Sequence, residues 1–301
     1  MPEIQFGWKK DLRDERDYYH PTVKVTLLPQ DIDLSRFLPP VRSQGLIGSC
    51  TGHGIGANIT GTYRQKLGDP EWESPTWIYN LGRMKQGWLA SDTGAYPRDC
   101  LDQLLEYGLL KERHWPYDGS RLDATVPSQE RKTAALKWAD FAYYRCVDGV
   151  DGICSALAAG HLVSIGSPWF EKWIQIVGQA ALPEVSETDK TLGGHETCLY
   201  GYDRERQIFY GMNSWGADWG DKGFFTMPFS AIDVFKKLWG YDAHYVTFTP
   251  AIVPQPAPPE PSPVPSPCRW GNAVAATANA IFLQELRGRK GRFAYMNFPD
   301  K

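Results

Sequence analysis

Long apolar runs are missing from this chain of 301 residues. The first ten residues, MPEIQFGWKK, carry charge and are not followed by the apolar core that a secretion signal needs. No stretch approaches the roughly 18 apolar residues of a membrane-spanning helix. The sequence therefore predicts no membrane insertion and favours a cytoplasmic location, with association with a virion or another assembly left open.

Cysteine is scarce, and its spacing fits no metal site. The six cysteines include no C-x-x-C pair, which excludes the usual zinc patterns. No metal and no other cofactor is expected. Most of these cysteines are predicted to be buried, reduced thiols, which favours a reducing compartment without excluding one disulfide.

An excess of charge of one sign is also lacking. The formal net charge is -3, and 42% of the residues are hydrophobic. Such a balance does not indicate nucleic acid as a general partner. The length is sufficient for one large domain or two modest ones with a hydrophobic core.

Proline is abundant in one place only. Nine of the eighteen residues at 250–267 are proline, which excludes a helix and predicts a semi-rigid polyproline linker. Residues 268–301 then form a short basic and aromatic C-terminal segment. The basic run at 287–292 is either a solvated surface or a means of tethering the chain to a larger assembly.

The rest of the chain divides into helices followed by strands. Helices are predicted from Cys50 to Gly68, from Pro75, and from about Arg98 to Tyr107. Short β-branched and aromatic runs at 162–165, 195–202, 207–210, 224–227 and 244–249 predict strands. We interpret residues 38–249 as one α+β domain, with a helical half to about 145 and a β-rich half from about 146. Residues 1–37 are interpreted as an N-terminal extension of this domain.

Four polar residues in this body form a candidate catalytic set. Cys50 opens a predicted helix, where free N–H groups and the helix dipole lower a thiol pKa. His195 follows two glycines that allow close backbone approach, and Asn213 could accept its ring N–H. The amide of Gln44, with the Cys50 N–H, could hold an oxyanion. An isolated histidine or cysteine would more often be structural, so only the four residues together indicate catalysis.

Three sequence blocks that carry these residues resemble the papain family of cysteine peptidases. They are Gln44-Gly45-x-x-Gly48-Ser49-Cys50, Gly194-His195, and Asn213-Ser214-Trp215-Gly216 with Trp219-Gly220 following. They occur in the family's order, and the resemblance covers about residues 38–249. It implies a papain-like fold of a helical half and an antiparallel, barrel-like β half with the active-site cleft between them.

The resemblance also implies roles for individual residues. Cys50 would be the nucleophile, His195 its base, Asn213 the residue that orients the base, and Gln44 an oxyanion donor, with Trp215 shielding Asn213. Substrate binding is implied for a further set of residues: Gly94, Ala95, Tyr96, Pro97, Gly166 and Gly194.

Some features depart from the best-known members of that family. Thr51 stands where they have tryptophan, and Ile47 replaces a cysteine that often forms a disulfide. His53, three residues after Cys50, is an alternative base but is interpreted as structural. The N-terminal extension leaves no room for a long inhibitory prosegment; it is expected to brace the body, and nothing in the sequence supports a regulatory role for it.

The predicted function is thiol-dependent hydrolysis of peptide bonds in a peptide or protein substrate, through a thioester intermediate. One alternative keeps the chemistry and changes the bond, as in an isopeptidase or an amidase acting on cell-wall or small amide substrates. The other alternative is a papain-fold assembly or binding component without catalysis.

Overall fold

A computed structural model describes residues 4–15, 27–68, 71–136 and 141–248. The proline-rich linker and the C-terminal segment lie outside these ranges, so the predictions made for them stay predictions. Within the described ranges, no helix combines the length and the apolar character needed to cross a membrane.

Four helices precede most of the strands: α1 Cys50–Leu67, α2 Pro75–Lys85, α3 Pro97–Tyr107 and α4 Gln129–Ala134. The expected signals set their ends. Gly68 closes α1 with φ 66°, and the Ser74 side chain accepts the Trp77 N–H at the start of α2. Ser49 differs, because its hydroxyl bonds the Tyr117 hydroxyl at 2.6 Å instead of capping α1.

The described ranges contain seven strands in one antiparallel sheet: β1 Asp31–Asp33 precedes the helices, and the other six follow α4. The sheet order is β2-β7-β3-β4-β5-β6, and β1 pairs with β4. Helices α5 Gly149–Ala158 and α6 Ser230–Lys237 accompany the sheet. The other bounds are β2 Ala142–Arg145, β3 Val163–Phe170, β4 Thr191–Asp203, β5 Ile208–Met212, β6 Phe224–Pro228 and β7 Asp242–Thr247.

The architecture confirms the α+β class with a helical and a β-rich half. Each half has its own hydrophobic core: one centred on α1, α2 and α3, the other on the sheet with α5 and α6. The described strands are not closed into a barrel, so the barrel-like part of the expectation is replaced by an open antiparallel sheet.

Helix α1 lies between the two halves, and its glycines make this possible. A Cβ atom on Gly52 would lie 2.5 Å from the Pro75 carbonyl oxygen, and one on Gly54 would lie 3.0 Å from the Glu196 side chain. On Gly61 it would lie 1.9 Å from the end of the Leu162 side chain. Close packing therefore accounts for glycines that each cost about 1 kcal/mol in a helix interior.

Gly52 and Gly56, both in α1, give a matched pair of stability predictions. Gly52→Ala forces a methyl group against backbone that cannot move aside, so we expect a loss of about 1–3 kcal/mol in the free energy of unfolding. Gly56→Ala is the control, since its nearest neighbour would be Ile78 at 3.4 Å, and helix propensity then favours alanine by up to about 1 kcal/mol. Urea unfolding midpoints compare the two; equal midpoints would contradict the packing argument.

Candidate active site

The fold brings the four candidate catalytic residues to the junction of the two halves. Cys50 is the first residue of α1, His195 lies in β4, Asn213 directly follows β5, and Gln44 lies in the loop before α1. The backbone N–H of Glu196, the residue after His195, is close enough to the Cys50 thiol to lower its pKa. The nucleophile candidate thus lies beside the strand that carries the base candidate.

His195 is held by Asn213 as the sequence predicted. The His195 Nε2 to Asn213 Oδ1 distance is 2.7 Å, and the Ser214 N–H donates to the same oxygen at 2.7 Å. An acceptor at this position fixes the tautomer with hydrogen on Nε2. Among the described residues, His195 Nδ1 has no hydrogen-bond partner. Nδ1 is therefore the ring nitrogen left to exchange a proton.

Aromatic rings enclose the imidazole. The ring centroids of Trp215 and Trp169 lie 4.5 and 4.8 Å from that of His195, and Phe6 approaches edge-on at 6.2 Å. Trp215, expected to shield Asn213, thus lies directly on the imidazole that Asn213 holds. Such packing excludes water from the His195–Asn213 hydrogen bond.

Gln44 is oriented by hydrogen bonds on both sides of its amide group. Its Oε1 accepts the Ser214 hydroxyl at 2.7 Å, which directs the NH2 group the other way. Nε2 donates to the carbonyl oxygens of Ile47 at 2.8 Å and Gln5 at 3.0 Å. The group expected to bind an oxyanion therefore already binds a peptide carbonyl from the N-terminus of the chain.

Residues 4–12, called the N-terminal segment below, lie in the cleft as an extended peptide. The Gly7 N–H is close enough to the Cys50 thiol to favour its ionised form and lower its pKa, and the Gly7 carbonyl accepts the Ala95 N–H at 2.8 Å. The Trp8 N–H donates to the Gly194 carbonyl at 2.9 Å, and Lys9 N–H to the Ala95 carbonyl at 3.0 Å. Backbone on both walls of the cleft thus holds this segment.

Several residues implied to bind substrate meet the N-terminal segment. A Cβ atom on Gly94 would lie 2.2 Å from the Gly7 carbonyl oxygen, and one on Gly166 or Gly194 would strike the Trp8 side chain. Together with Ala95, these residues therefore line the groove that holds a peptide. Tyr96 and Pro97 lie next to Ala95 at the start of α3, and their part in binding stays a prediction.

Burial under the N-terminal segment changes the protonation of the pair. Cys50 and His195 are fully buried. Burial, assisted by the nearby Glu196, raises the pKa of the Cys50 thiol to about 12, against the backbone N–H bonds that lower it. Burial also lowers the pKa of His195 to about 4. Loss of water thus opposes the thiolate that the helix start favours.

His53, which the sequence led us to interpret as structural, is bonded within its own helix. It is buried in α1, where its Nδ1 lies 3.0 Å from the Ser49 carbonyl oxygen and its ring packs edge-on against Tyr117 at 4.5 Å. Burial lowers the pKa of His53 to about 3. A neutral histidine bonded to its own helix has no freedom to serve as the base.

Sequence reasoning missed three acidic residues around the cleft. Asp92 accepts the Gly48 N–H at 2.9 Å and so supports the loop that leads to Cys50. Glu196 is buried beside the Cys50 thiol, and Asp242 is buried at the end of the Trp8 side chain. Two of them had a local signal: Glu196 follows His195, and Asp92 lies two residues before Gly94. Asp242 is distant from the catalytic blocks in sequence.

The other chemistry of the described residues is limited. No three histidine, cysteine, aspartate or glutamate side chains there are grouped to hold a metal ion. The five cysteines in these ranges are free thiols, all of them buried: Cys50, Cys100, Cys146, Cys154 and Cys198.

A fold with a helical half, a sheet half and a thiol–imidazole–amide set between them defines a cysteine hydrolase. The family model described as "Papain family cysteine protease" matches residues 28–233. The chain therefore belongs to the papain family, and it is a cysteine-type peptidase.

Known proteins show the same relationship. The chain is 29% identical over 255 residues to an uncharacterized peptidase C1-like protein of Acanthamoeba polyphaga mimivirus, covering 75% of this chain and 82% of that protein. It is 26% identical to cysteine proteinase 1 of Entamoeba histolytica, covering 62% of this chain and 59% of that protein.

Solved structures agree with this assignment. The crystal structure of xylellain, a cysteine protease from Xylella fastidiosa, superposes with a TM-score of 0.72 at 27% identity, covering 82% of this chain and 97% of that one. Procathepsin L 3 of the Tenebrio molitor larval midgut superposes with a TM-score of 0.62 at 16% identity, which shows the fold alone, over 76% of this chain and 73% of that one.

Proposed function

We propose that this protein hydrolyses peptide bonds through Cys50, His195, Asn213 and Gln44, and that the N-terminal segment blocks the cleft until it is displaced. The observation that carries the proposal is the bound segment itself. An extended peptide lies on Cys50, with a carbonyl oxygen on Gln44 and backbone hydrogen bonds to Ala95 and Gly194. A groove that holds its own chain in this way has the shape and the hydrogen-bonding groups for a peptide substrate.

Displacement of the N-terminal segment lets water reach the thiol and the imidazole. Rehydration reverses the burial that keeps both groups neutral, so a proton can move from Cys50 to His195 Nδ1. Asn213 keeps Nε2 hydrogen-bonded during this transfer and stabilises the imidazolium. The result is a thiolate and an imidazolium side by side at the start of α1.

Acylation then follows by attack of the thiolate on the scissile carbonyl carbon. The oxyanion that forms accepts hydrogen bonds from Gln44 Nε2 and from the Cys50 N–H, which is free of the helix ladder because it lies at the first turn. His195 Nδ1 returns its proton to the leaving amine as the C–N bond breaks. A thioester to Cys50 and a neutral imidazole remain.

Deacylation uses the same groups with water as the nucleophile. His195 Nδ1 takes a proton from the water as its oxygen attacks the thioester carbon. The oxyanion again lies at Gln44, and collapse of the intermediate releases the acid product and the Cys50 thiolate. The imidazolium and the thiolate are then restored for another cycle.

Gln44→Ala tests the oxyanion role. Loss of one such donor typically lowers turnover by about 100- to 1,000-fold, and the Cys50 N–H remains, so a measurable remnant of activity is expected. The measurement is kcat on a fluorogenic peptide in the opened Gly7→Ala chain, because Gln44 also holds the Gln5 carbonyl of the blocking segment. Gln86→Ala, on the end of α2, is the control and should keep full turnover. A Gln44→Ala enzyme with unchanged kcat would contradict the assignment.

The proposed function as a whole is tested with a substrate library. The full chain carrying Gly7→Ala is assayed on peptides, isopeptides and small amides; a Cβ atom at Gly7 would lie 1.5 Å from the Gly48 carbonyl oxygen, so this change opens the cleft. Peptide hydrolysis that stops on alkylation of Cys50 supports the proposal. Cleavage confined to isopeptides or small amides would mean that these, and not peptides, are the substrates. A folded protein that hydrolyses none of them would be a binding component without catalysis.

A further inference from the structure

The Trp8 side chain fills a flat pocket in the cleft. Its indole lies on Gly166 of β3, where a Cβ atom would come within 2.1 Å of the ring, and on Gly194 of β4, where the distance would be 2.4 Å. Trp8 is consequently 6% exposed. Two glycines on adjacent strands thus create a slot that admits a planar ring.

A buried carboxylate lies at the base of this slot. Asp242, in β7 beside Gly166, has no exposed surface. Its Oδ2 accepts the Trp8 Nε1–H at 3.1 Å and the Asp11 N–H at 2.8 Å, both from the N-terminal segment. When the segment leaves, both donors leave with it, and Oδ2 faces the empty slot.

The charge of Asp242 is already balanced from the other side. Its Oδ1 forms an ion pair with Arg145 Nη2 at 2.7 Å, and Arg145 also donates to the Tyr241 carbonyl at 3.0 Å. A lysine or arginine in the slot would bring a second cation close to this guanidinium. The base of the slot therefore suits a neutral hydrogen-bond donor better than a cation.

We propose that Asp242 is a specificity-determining residue, and that the slot selects a substrate side chain that is flat, neutral and bears an N–H donor, namely tryptophan. A phenylalanine side chain fits between the glycine walls of the slot but leaves Asp242 Oδ2 without a hydrogen-bond donor. An arginine side chain is disfavoured because its positive charge would lie close to that of Arg145. This inference rests on the proposed function, since it names the substrate that the cleft prefers.

The size of the effect follows from the hydrogen bond to a charged acceptor. Such a bond changes affinity by about 10- to 100-fold when the donor is removed and the acceptor stays buried. A sulfur-for-N–H replacement in the indole, 3-benzothienylalanine, keeps the shape of the ring and removes only the donor. It is therefore the matched probe for the role of Asp242.

The binding experiment uses the full chain with Gly7→Ala, Trp8→Ala and Cys50→Ala, which empties the slot and removes the nucleophile. Four synthetic peptides of residues 4–12 carry tryptophan, 3-benzothienylalanine, phenylalanine or arginine at position 8, and calorimetry gives their Kd values. Residual competition from the chain's own segment weakens all four equally, so the ratios are preserved. Asp242 and Arg145 are unaltered, so no variant of the pocket has to fold.

We expect the tryptophan peptide to bind about 10- to 100-fold more tightly than the other three. Equal affinity of the tryptophan and benzothienyl peptides, or no binding by any of the four, would overturn the inference. A parallel assay with Cys50 intact measures kcat/KM on substrates in which each position in turn carries tryptophan or its analogue. Selective binding of the tryptophan peptide without hydrolysis would overturn the proposed function but support the selectivity of the slot. Hydrolysis without a preference for tryptophan would support the proposed function but overturn the selectivity of the slot.

Discussion

Gly7→Ala in the full chain is expected to raise kcat/KM for peptide hydrolysis at least about tenfold. A Cβ atom at Gly7 would lie 1.5 Å from the Gly48 carbonyl oxygen, and neither backbone has a side chain that could move aside. A clash of this kind costs about 1–3 kcal/mol, and each 1.4 kcal/mol shifts the occupancy of the cleft about tenfold. The segment is therefore displaced while the cleft keeps all its own residues.

The control for this prediction lies in the same segment. The Leu12 side chain is 73% exposed, so Leu12→Ala should leave kcat/KM unchanged. Gly7 has no positive φ, so alanine itself introduces no backbone strain once the segment has left. A Gly7→Ala enzyme no more active than the unaltered chain, with its thermal transition intact, would show that the segment does not limit access.

Replacing the catalytic residues in the opened Gly7→Ala chain is expected to give graded losses. Cys50→Ala should abolish hydrolysis, because no other described thiol lies in the cleft to form a thioester. His195→Ala should nearly abolish it, because proton transfer is lost. Asn213→Ala should be milder, because the 2.7 Å bond to His195 orients the ring without exchanging the proton itself.

Initial rates on one fluorogenic peptide, with circular dichroism for each variant, measure this series. His53→Ala is informative beside it, since His53 is buried in α1 and bonded to Ser49. We expect its effect on unfolding to exceed its effect on kcat. Asn213→Ala as damaging as His195→Ala would mean that Asn213 does more than orient the ring, and full activity of Cys50→Ala would contradict the account entirely.

The sequence was most informative where local chemistry determines local structure. Gly68 and Pro75 predicted helix boundaries correctly, because a left-handed cap and a proline at the first turn act within one or two residues. The His195–Asn213 contact was also predicted, because each residue lies in a distinctive block. The helix boundaries can be predicted from neighbouring residues alone, and the His195–Asn213 contact requires only that the two blocks pair.

Features that depend on distant packing could not be predicted in the same way. The sequence gives Phe6, Gly7 and Trp8 no signal for a place in the cleft, and only the fold shows that they lie on Cys50, His195 and Gly194. Asp242 follows Gly194 by 48 positions, and its meeting with Trp8 depends on β7 pairing with β3. The pKa of Cys50 depends on distant packing for the same reason, since burial raises it while local backbone N–H groups lower it.

Alkylation of Cys50 by iodoacetamide, followed by mass spectrometry across pH 5–9, tests the central claim most directly. In the unaltered chain the thiol is covered and its raised pKa keeps it protonated, so labelling of Cys50 should be slow throughout this range. In Gly7→Ala, Cys50 should react rapidly even at pH 6, well below the ordinary thiol pKa of about 8.5, while the other buried cysteines do not. Identical Cys50 labelling profiles for the two folded proteins would contradict both the blocked cleft and the thiolate that its opening creates.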